Sequence, residues 1–297
     1  MSAITDRLRR AAQRLRPAPE AGAGPSKTRS MGTGDPDMTS TASMFGWCLE
    51  HEPAASARPQ YLWGVLQAAS EGRNLGLPGV SVLEFGVAGG NGIVALEQAA
   101  SAAERLVGVH VSVFGFDTGT GMPPPKDHRD VPWAIRPGYF VMDEAALRAR
   151  LARTELVLGP VSETVATWSA QDHPPAGFAA FDLDYYSSTV DALQLLDAPA
   201  HRVLPRVVCY FDDIFGYGWT DFTGERAAIA DYNASHPERK VGPIYGLKYE
   251  LPESEWRRPW PEQIYLAHLF DHPRYRDFVF ELPPAWFEAH RLQDGAD

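Results

Sequence analysis

The chain has 297 residues, 44% of them hydrophobic, so it is long enough to bury a sizeable core. Its net charge of −11 argues against nucleic acid as a substrate, because an acidic body repels phosphates. No apolar run approaches the roughly 20 residues of a membrane helix, and two cysteines, Cys48 and Cys209, are too few for a disulfide framework or a zinc site. We expect a cytoplasmic protein without stable membrane association.

The N-terminal part differs in charge and composition from the rest. Residues 1–30 hold seven Arg or Lys against Asp6 and Glu20, so they carry +5 and the remaining chain carries −16. Pro, Ala, Gly, Ser and Thr then dominate up to residue 40, as is typical of a linker. A disordered basic tail is therefore expected at residues 1–40, with a short amphipathic helix in its first part as the alternative.

One domain is expected at residues 41–292, with a core at 80–235 and an aromatic-rich part at 244–292. Helices are predicted at residues 44–50, 60–71, 91–103, 143–154, 189–196 and 224–235. Strands are predicted at residues 80–84, 111–117, 156–158, 178–182 and 207–212, with edge strands at 265–270 and 278–282. This alternation predicts an α/β fold: a doubly wound, mostly parallel sheet with helices on both faces and N-terminal helices before it.

The first predicted strand runs into a glycine-rich turn, Leu83-Glu-Phe-Gly-Val-Ala-Gly-Gly-Asn-Gly92, before the next helix. The spacing from Glu84 to Gly86 and Gly90 differs from the dinucleotide fingerprint. A carboxylate at the strand tip suits a ligand with an ammonium group better than a pyrophosphate. The turn is thus a candidate ligand site, and a tight turn without a ligand is the alternative.

Other predicted strands also end in carboxylates, which are expected to meet at one edge of the sheet. Asp117 is placed to accept hydrogen bonds from ribose hydroxyls. Asp182, Asp212 and Asp213, with Asp184 nearby, form an all-oxygen set that favours Mg²⁺, Ca²⁺ or Mn²⁺. Helix caps and turns are the alternative explanation for each acid taken singly.

Four motifs in order resemble a known family: Leu83–Gly90, Gly115–Pro123, Phe181–Thr189, and Phe211–Asp213 followed by Gly224–Ala228. Together they span roughly residues 80–235. They resemble class I S-adenosylmethionine-dependent methyltransferases, specifically the macrocin O-methyltransferase (TylF-like) group, and more distantly catechol O-methyltransferase.

The resemblance implies a Rossmann-like sheet of seven strands and assigns roles to individual residues. The implied residues that bind the methyl donor, S-adenosyl-L-methionine, are Glu84, Gly86, Gly90, Asp117, Ser162, Glu163 and Asp182. The implied magnesium ligands are Asp182, Asp212 and Asp213. Asp182 and Asp184 are the expected catalytic residues, Asp184 as the general base, and His173, His268 and His272 are rival bases.

The chain departs from these families at several places. The macrocin O-methyltransferase group usually has a large residue after the acid that ends the second strand, where this chain has Thr118-Gly-Thr-Gly121. The catechol enzymes have a lysine where this chain has Tyr185. For the segment from Tyr245 onward we identify no counterpart in these families. The aromatic segments 215–219 and 256–260 are expected either to build an acceptor pocket or to pack in the core or in a dimer.

The expected function is magnesium-dependent O-methylation of a hydroxyl on a small molecule of sugar or natural-product type. One alternative is a catalytically inactive donor-binding scaffold or regulator. Another is a nicotinamide-dependent oxidoreductase, against which the glycine spacing speaks. The expected partner is a small hydroxyl-bearing acceptor rather than nucleic acid, and a homo-oligomer is compatible with the sequence.

Overall fold

The computed structural model of the protein describes residues 40–279. The predicted basic tail lies, apart from residue 40, outside the described residues, as do residues 280–297. Its separation from a domain at 41–292 stays a prediction. None of the helices between residues 40 and 279 has the length and apolarity that crossing a bilayer requires.

Helices and strands alternate along most of the described chain. The α-helices are α1 Thr41–His51, α2 Pro59–Asn74, α3 Asn91–Val107, α4 Glu144–Arg148, α5 Val161–Ala170, α6 Tyr186–Leu193 and α7 Gly224–Ser235. The strands are β1 Gly79–Phe85, β2 His110–Asp117, β3 Glu155–Leu158, β4 Ala176–Phe181, β5 Val203–Phe211, β6 Arg239–Pro243 and β7 Ile264–Leu269. Short 3₁₀ turns cover His128–Asp130, Gln194–Asp197, Leu247–Glu250, Glu253–Glu255 and Trp260–Glu262.

The strands form a single sheet in the order β3-β2-β1-β4-β5-β7-β6. The first five strands are parallel, and β7 runs antiparallel to both β5 and β6. This is the doubly wound, mostly parallel, Rossmann-like sheet of seven strands that the sequence and its resemblance predict. Because the strand order reverses between β1 and β4, a crevice opens at their carboxyl ends, where such sheets bind ligands.

Side chains that alternate along the strands build a core on each face of the sheet. Val80 and Val82 pack on the side of α1, α2 and α3, whereas Leu83 and Phe85 pack on the side of α5, α6 and α7. Both faces are covered, so the central strands are buried throughout. The carboxyl edge of β1, β4 and β5 is thereby fixed between two packed layers.

The predicted helix at 143–154 is wrong in length, because α4 ends at Arg148. The carboxylate of Glu97 accepts hydrogen bonds from the backbone N–H groups of Ala152, Arg153 and Thr154, at 3.0–3.2 Å. These N–H groups therefore do not bond to helical carbonyls, and the chain turns into β3 instead. Similarly, the helix expected at 189–196 begins earlier, at Tyr186, and ends at Leu193.

Strand β6 is another correction. It is Arg239–Pro243, for which no strand is predicted, whereas Phe278 and Val279 are not in a strand and the remainder of 278–282 lies outside the described residues. Helix α5, Val161–Ala170, is likewise not predicted from the sequence. The polar residues of the edge strand explain the first omission, because they give no apolar alternation.

Candidate functional site

A cavity of about 570 Å³ opens at the carboxyl ends of β1, β2, β4 and β5. Most residues of the predicted site line it: Glu84, Gly86, Gly90, Asp117, Ser162, Asp182, Asp184, Asp212 and Asp213. Glu163 does not, since it lies exposed in the first turn of α5 beside Ser162. The sheet thus brings the strand-tip acids together, as their positions in the sequence predict.

The glycines of the first turn are required by close packing around the acids. Gly86 has φ +87°, and a Cβ there would lie 1.9 Å from the backbone oxygen of Asp182. A Cβ on Gly92 would lie 1.8 Å from Oε1 of Glu84. The turn therefore lets β1, β4 and the start of α3 approach one another more closely than other residues allow.

Glu84 is buried, and only one of its two carboxylate oxygens has a hydrogen-bond partner in the described part of the chain. Its Oε1 accepts a hydrogen bond from the hydroxyl of Tyr61 at 2.6 Å, whereas its Oε2 has no hydrogen-bond partner among residues 40–279. Burial raises the pKa of Glu84 to about 8, and the negative charge of Asp182 adds to this effect. A buried carboxylate oxygen without a donor is costly, so this atom is a ready acceptor for a ligand ammonium group.

Asp117 holds the glycine turn in place. Its Oδ2 accepts hydrogen bonds from the N–H groups of Val87 and Ala88, at 2.9 and 2.8 Å, and its Oδ1 accepts one from Gly119 at 2.6 Å. A carboxylate has about four acceptor positions, so lone pairs remain for a ligand hydroxyl. The acid that the sequence assigns to ribose binding therefore also orders the turn beside it.

The three aspartates expected to bind a metal lie close together. One carboxylate oxygen from each of Asp182, Asp212 and Asp213 lies within 4.8 Å of the other two. Asp184 has a left-handed backbone with φ +57°, and its N–H donates to Oδ2 of Asp213 at 3.1 Å. The geometry thus joins all four acids at the ends of β4 and β5.

Burial and mutual crowding change the acidity of these carboxyl groups. Burial, and then the neighbouring carboxylates, raise the pKa of Asp182 to about 7, that of Asp184 to about 6 and that of Asp213 to about 8. Such a set of hard oxygen ligands that repel one another is stabilised by a divalent cation. The residues present therefore fit Mg²⁺ better than a soft metal that prefers sulfur or imidazole.

A second layer of polar groups orients the aspartates. The hydroxyl of Tyr210 donates to Oδ1 of Asp212, and Nε2 of Gln263 donates to the backbone oxygen of Asp212 at 2.7 Å. Oε2 of the buried Glu225, in the first turn of α7, accepts from the N–H of Asp213 at 2.9 Å. Tyr210 therefore holds the side chain of Asp212, whereas Gln263 and Glu225 hold the backbone of the Asp212-Asp213 pair.

Arg58, at the start of α2, is a site residue that no pattern in the sequence predicts. Its Nη1 lies 3.9 Å from Oδ2 of Asp182 and 3.4 Å from the hydroxyl of Tyr61, and the side chain lines the cavity. Burial disfavours its charge, but the nearby Tyr61, Glu84 and Asp182 outweigh burial and raise its pKa. A permanent cation therefore lies near both Glu84 and Asp182.

No protein-family model matches the chain, and no curated protein matches its sequence. Solved structures with a similar fold include the O-methyltransferase NovP, at 19% identity, with 59% of this chain and 72% of that chain covered and a TM-score of 0.45. The calicheamicin methyltransferase CalS11 is similar at 21% identity over 84% of this chain and 99% of that chain, with a TM-score of 0.46. The MycE methyltransferase of the mycinamycin pathway, solved with Mg, SAH and mycinamycin VI, is similar at 12% identity. The match covers 80% of this chain and 55% of that chain, with a TM-score of 0.39. These similarities are similarities of fold.

Proposed function

We propose that the protein is an S-adenosylmethionine-dependent, Mg²⁺-dependent O-methyltransferase that acts on a hydroxyl of a small molecule of sugar or natural-product type. The observation that carries this proposal is the arrangement of one cavity. At one end it offers Oε2 of Glu84, a buried carboxylate oxygen that has no donor within the described part of the chain, and at the other end it offers three clustered aspartates. A cationic amino-acid ligand and a hard dication would neutralise these two ends.

The donor half is formed by the turn after β1 and the ends of β1 and β2. Glu84 would accept from the donor ammonium group, and Arg58 would bind the donor carboxylate. Asp117 would accept from the ribose hydroxyls through its remaining lone pairs. The backbone at Gly86 and Gly90, the carboxylate of Asp182, and Ser162 with Glu163 on the adenine side would complete the donor site.

The metal half and the proposed base lie at the ends of β4 and β5. Asp182, Asp212 and Asp213 would hold Mg²⁺, which, when bound, supplies Lewis-acid activation of the acceptor hydroxyl. Asp184 would take the hydroxyl proton as the acceptor oxygen forms its bond to the methyl carbon and the carbon–sulfur bond breaks. Asp184 lines the cavity beside the three aspartates, where its carboxylate could accept this proton.

Binding measurements on the wild type and on matched acid variants test the proposal. Isothermal titration calorimetry with S-adenosylhomocysteine should detect binding in the wild type and in Asp212→Asn. Mg²⁺ at about 100 times its Kd should raise the unfolding free energy of the wild type by about 2.7 kcal/mol. This gain should be lost in Asp212→Asn and Asp213→Asn.

Asp191→Asn is the control, because Asp191 lines the same cavity but pairs with Lys126 at 3.2 Å, outside the three-aspartate cluster. It should keep the stabilisation by Mg²⁺. Wild-type protein that binds NADH but not S-adenosylhomocysteine would contradict the donor assignment. Equal stabilisation of all variants by Mg²⁺ would contradict the metal assignment.

A further inference from the structure

Exposed aromatic and apolar side chains are concentrated in two segments, 131–142 and 214–223. Of the twelve large hydrophobic side chains exposed within residues 40–279, seven lie there: Trp133, Tyr139, Phe140, Val141, Phe215, Tyr217 and Phe222. Tyr217 is 94% exposed. A concentration of this kind marks a binding surface, whereas single exposed apolar residues are ordinary. We call these seven residues the aromatic rim.

The two segments of the aromatic rim contact each other. The rings of Trp133 and Tyr217 lie 5.7 Å apart in an edge-on arrangement. A Cβ on Gly218 would lie 2.7 Å from the Trp133 ring, so the indole packs directly on the backbone of the second segment. The two segments of the aromatic rim therefore meet at Trp133 and Tyr217.

This surface borders the mouth of the cavity. Phe140 and Met122 both line the cavity. The backbone of Met122 exchanges hydrogen bonds of 2.8 Å with Gly138 and Tyr139, which fixes the first segment along the cavity wall. The second segment begins directly after the proposed metal ligand Asp213. A molecule lying on the aromatic rim can therefore place one of its groups in the cavity.

Both segments are also tied to the neighbourhood of the proposed base, Asp184. The hydroxyl of Tyr185 donates to the backbone oxygen of Ile135 at 3.3 Å. Around Gly224, the ring of Trp219 and the backbone oxygen of Asp184 lie together, at 3.0 and 3.3 Å from where a Cβ would stand. The aromatic rim thus has a fixed position relative to the reacting groups.

The charge of the cavity limits what can be bound there. Seven carboxyl groups line it: Glu84, Asp117, Asp182, Asp184, Asp191, Asp212 and Asp213. Among its described lining residues the cations are Arg58, beside Asp182, and Lys126, paired with Asp191. Even with a sulfonium donor and a dication bound, the lining keeps a formal excess of negative charge. A phosphate or diphosphate group on the acceptor would be repelled.

From the aromatic rim and the acidic lining together, we infer that the acceptor is an uncharged aromatic compound or aromatic glycoside without a phosphate group. Its rings stack on Trp133, Phe140 and Tyr217 while its hydroxyl enters the cavity. This inference rests on the proposed function and names its substrate class. Where the hydroxyl belongs to a sugar, glycosyl transfer onto the aromatic part, with loss of the nucleotide diphosphate, must precede methylation.

Two glucose derivatives test the inference. The full chain, saturated with S-adenosylhomocysteine and Mg²⁺, is titrated calorimetrically with 4-methylumbelliferyl α-glucoside and with thymidine diphosphate α-glucose. Both ligands contain α-glucose, which is joined to a neutral aromatic group in the first and to thymidine diphosphate in the second. We expect the umbelliferyl glucoside to bind at least about tenfold more tightly. Trp133→Ala and Tyr217→Ala should each weaken it by about 3- to 10-fold, the range of one ring-stacking contact.

Two controls separate this inference from the proposed function. Phe270→Ala removes an exposed aromatic ring just after β7, at the amino ends of the parallel strands. It should change the affinity for neither of the two glucose derivatives. S-adenosylhomocysteine should bind wild type, Trp133→Ala and Tyr217→Ala with equal affinity, because these residues do not contact the donor half. Loss of that binding in the wild type would count against the proposed function itself.

Several results would overturn the inference. One is tighter binding of the nucleotide sugar, lost in Arg136→Ala, since Arg136 is the exposed cation of the first rim segment. A second is that neither glucose derivative binds. A third is that the umbelliferyl glucoside binds with the same affinity to the wild type, Trp133→Ala and Tyr217→Ala. A dimer that dissociates in Trp133→Ala would show that a second copy of the chain covers the aromatic rim.

Discussion

Arg58 has the most specific contacts of the cavity-lining cations. It lies against Asp182 and the Tyr61 hydroxyl, at the point where the donor half and the metal half meet. Its guanidinium has more donors than these two neighbours use. We therefore expect it to be the partner of the donor carboxylate.

Arg58→Gln should weaken the binding of S-adenosylmethionine by about 10- to 100-fold, the range of one charge-assisted hydrogen bond. Its affinity for decarboxylated S-adenosylmethionine should change little, because that ligand lacks the group that Arg58 binds. Calorimetry with both ligands measures the difference.

Lys126→Gln removes the other cation of the lining and is the control, which should bind both ligands like the wild type. An equal loss for both ligands in Arg58→Gln would mean that the arginine acts only by offsetting the charge of the acids.

The strand-tip acids are predictable from the sequence, whereas the residues that orient them are not. Glu84, Asp117, Asp182 and Asp212 each follow an apolar run, and parallel strands bring such positions to one edge. Arg58, Tyr61 and Tyr210 show no local pattern, because their role depends on how α2 lies across the ends of β1 and β5. Pro59 indicates where α2 begins, but it does not indicate how the helix is oriented against the sheet.

At the scale of the elements, the turn between β1 and α3 depends on one close approach. Gly86 needs both a positive φ and the absence of a Cβ, because the carbonyl oxygen of Asp182 occupies that space. Gly76 also has a positive φ, of +68°, but no atom lies within 4 Å of its Cβ position. Alanine substitutions at the two positions therefore distinguish the cost of backbone strain alone from the cost of strain together with steric overlap.

Gly86→Ala should lower the free energy of unfolding by about 3 kcal/mol or more, because backbone of β1 or β4 must shift. Gly76→Ala should cost only about 1–2 kcal/mol, the strain of a left-handed backbone. Urea denaturation at equilibrium measures both values. Equal losses would indicate that the structure relieves the overlap at Gly86 without cost.

The errors in element prediction have definite causes. The segment 143–154 has helical spacing of Leu147 and Leu151, yet Glu97 captures the backbone N–H groups that a longer helix would use. Strand β6 is set by pairing with β7, in the register of Arg239 with Leu269. In both cases a residue or strand distant in the sequence determines the local structure. The local sequence pattern therefore cannot predict it.

At the scale of the whole molecule, the acidic edge determines how stability depends on pH. Glu84, Asp182 and Asp213 have folded-state pKa values of about 8, 7 and 8, above their ordinary values of 4.5, 3.8 and 3.8. Between the ordinary and the raised values the folded chain binds more protons than the unfolded chain. The stability of the metal-free protein therefore falls as the pH rises through this window.

Thermal unfolding of the chelator-treated protein should show a Tm that decreases from pH 5 to pH 8. Added Mg²⁺ should raise the Tm more at pH 8 than at pH 6, because protons then compete less for the carboxylates. Glu84→Gln should make the decrease shallower, since it removes one buried group that must ionise. Glu250→Gln, at an exposed position, is the control and should leave the slope unchanged. A Tm that rises with pH would contradict the assigned shifts.

The antiparallel pairing of β7 with β5 has a consequence for how the chain folds. Gln263, just before β7, bonds through both its backbone and its side chain to residues 211 and 212 at the end of β5. A ribosome-bound chain that has reached only α7 would therefore present β5 as an open edge, with the carbonyl of Asp212 lacking its amide donor. Such an open edge can pair with other chains until β7 has been added to the sheet.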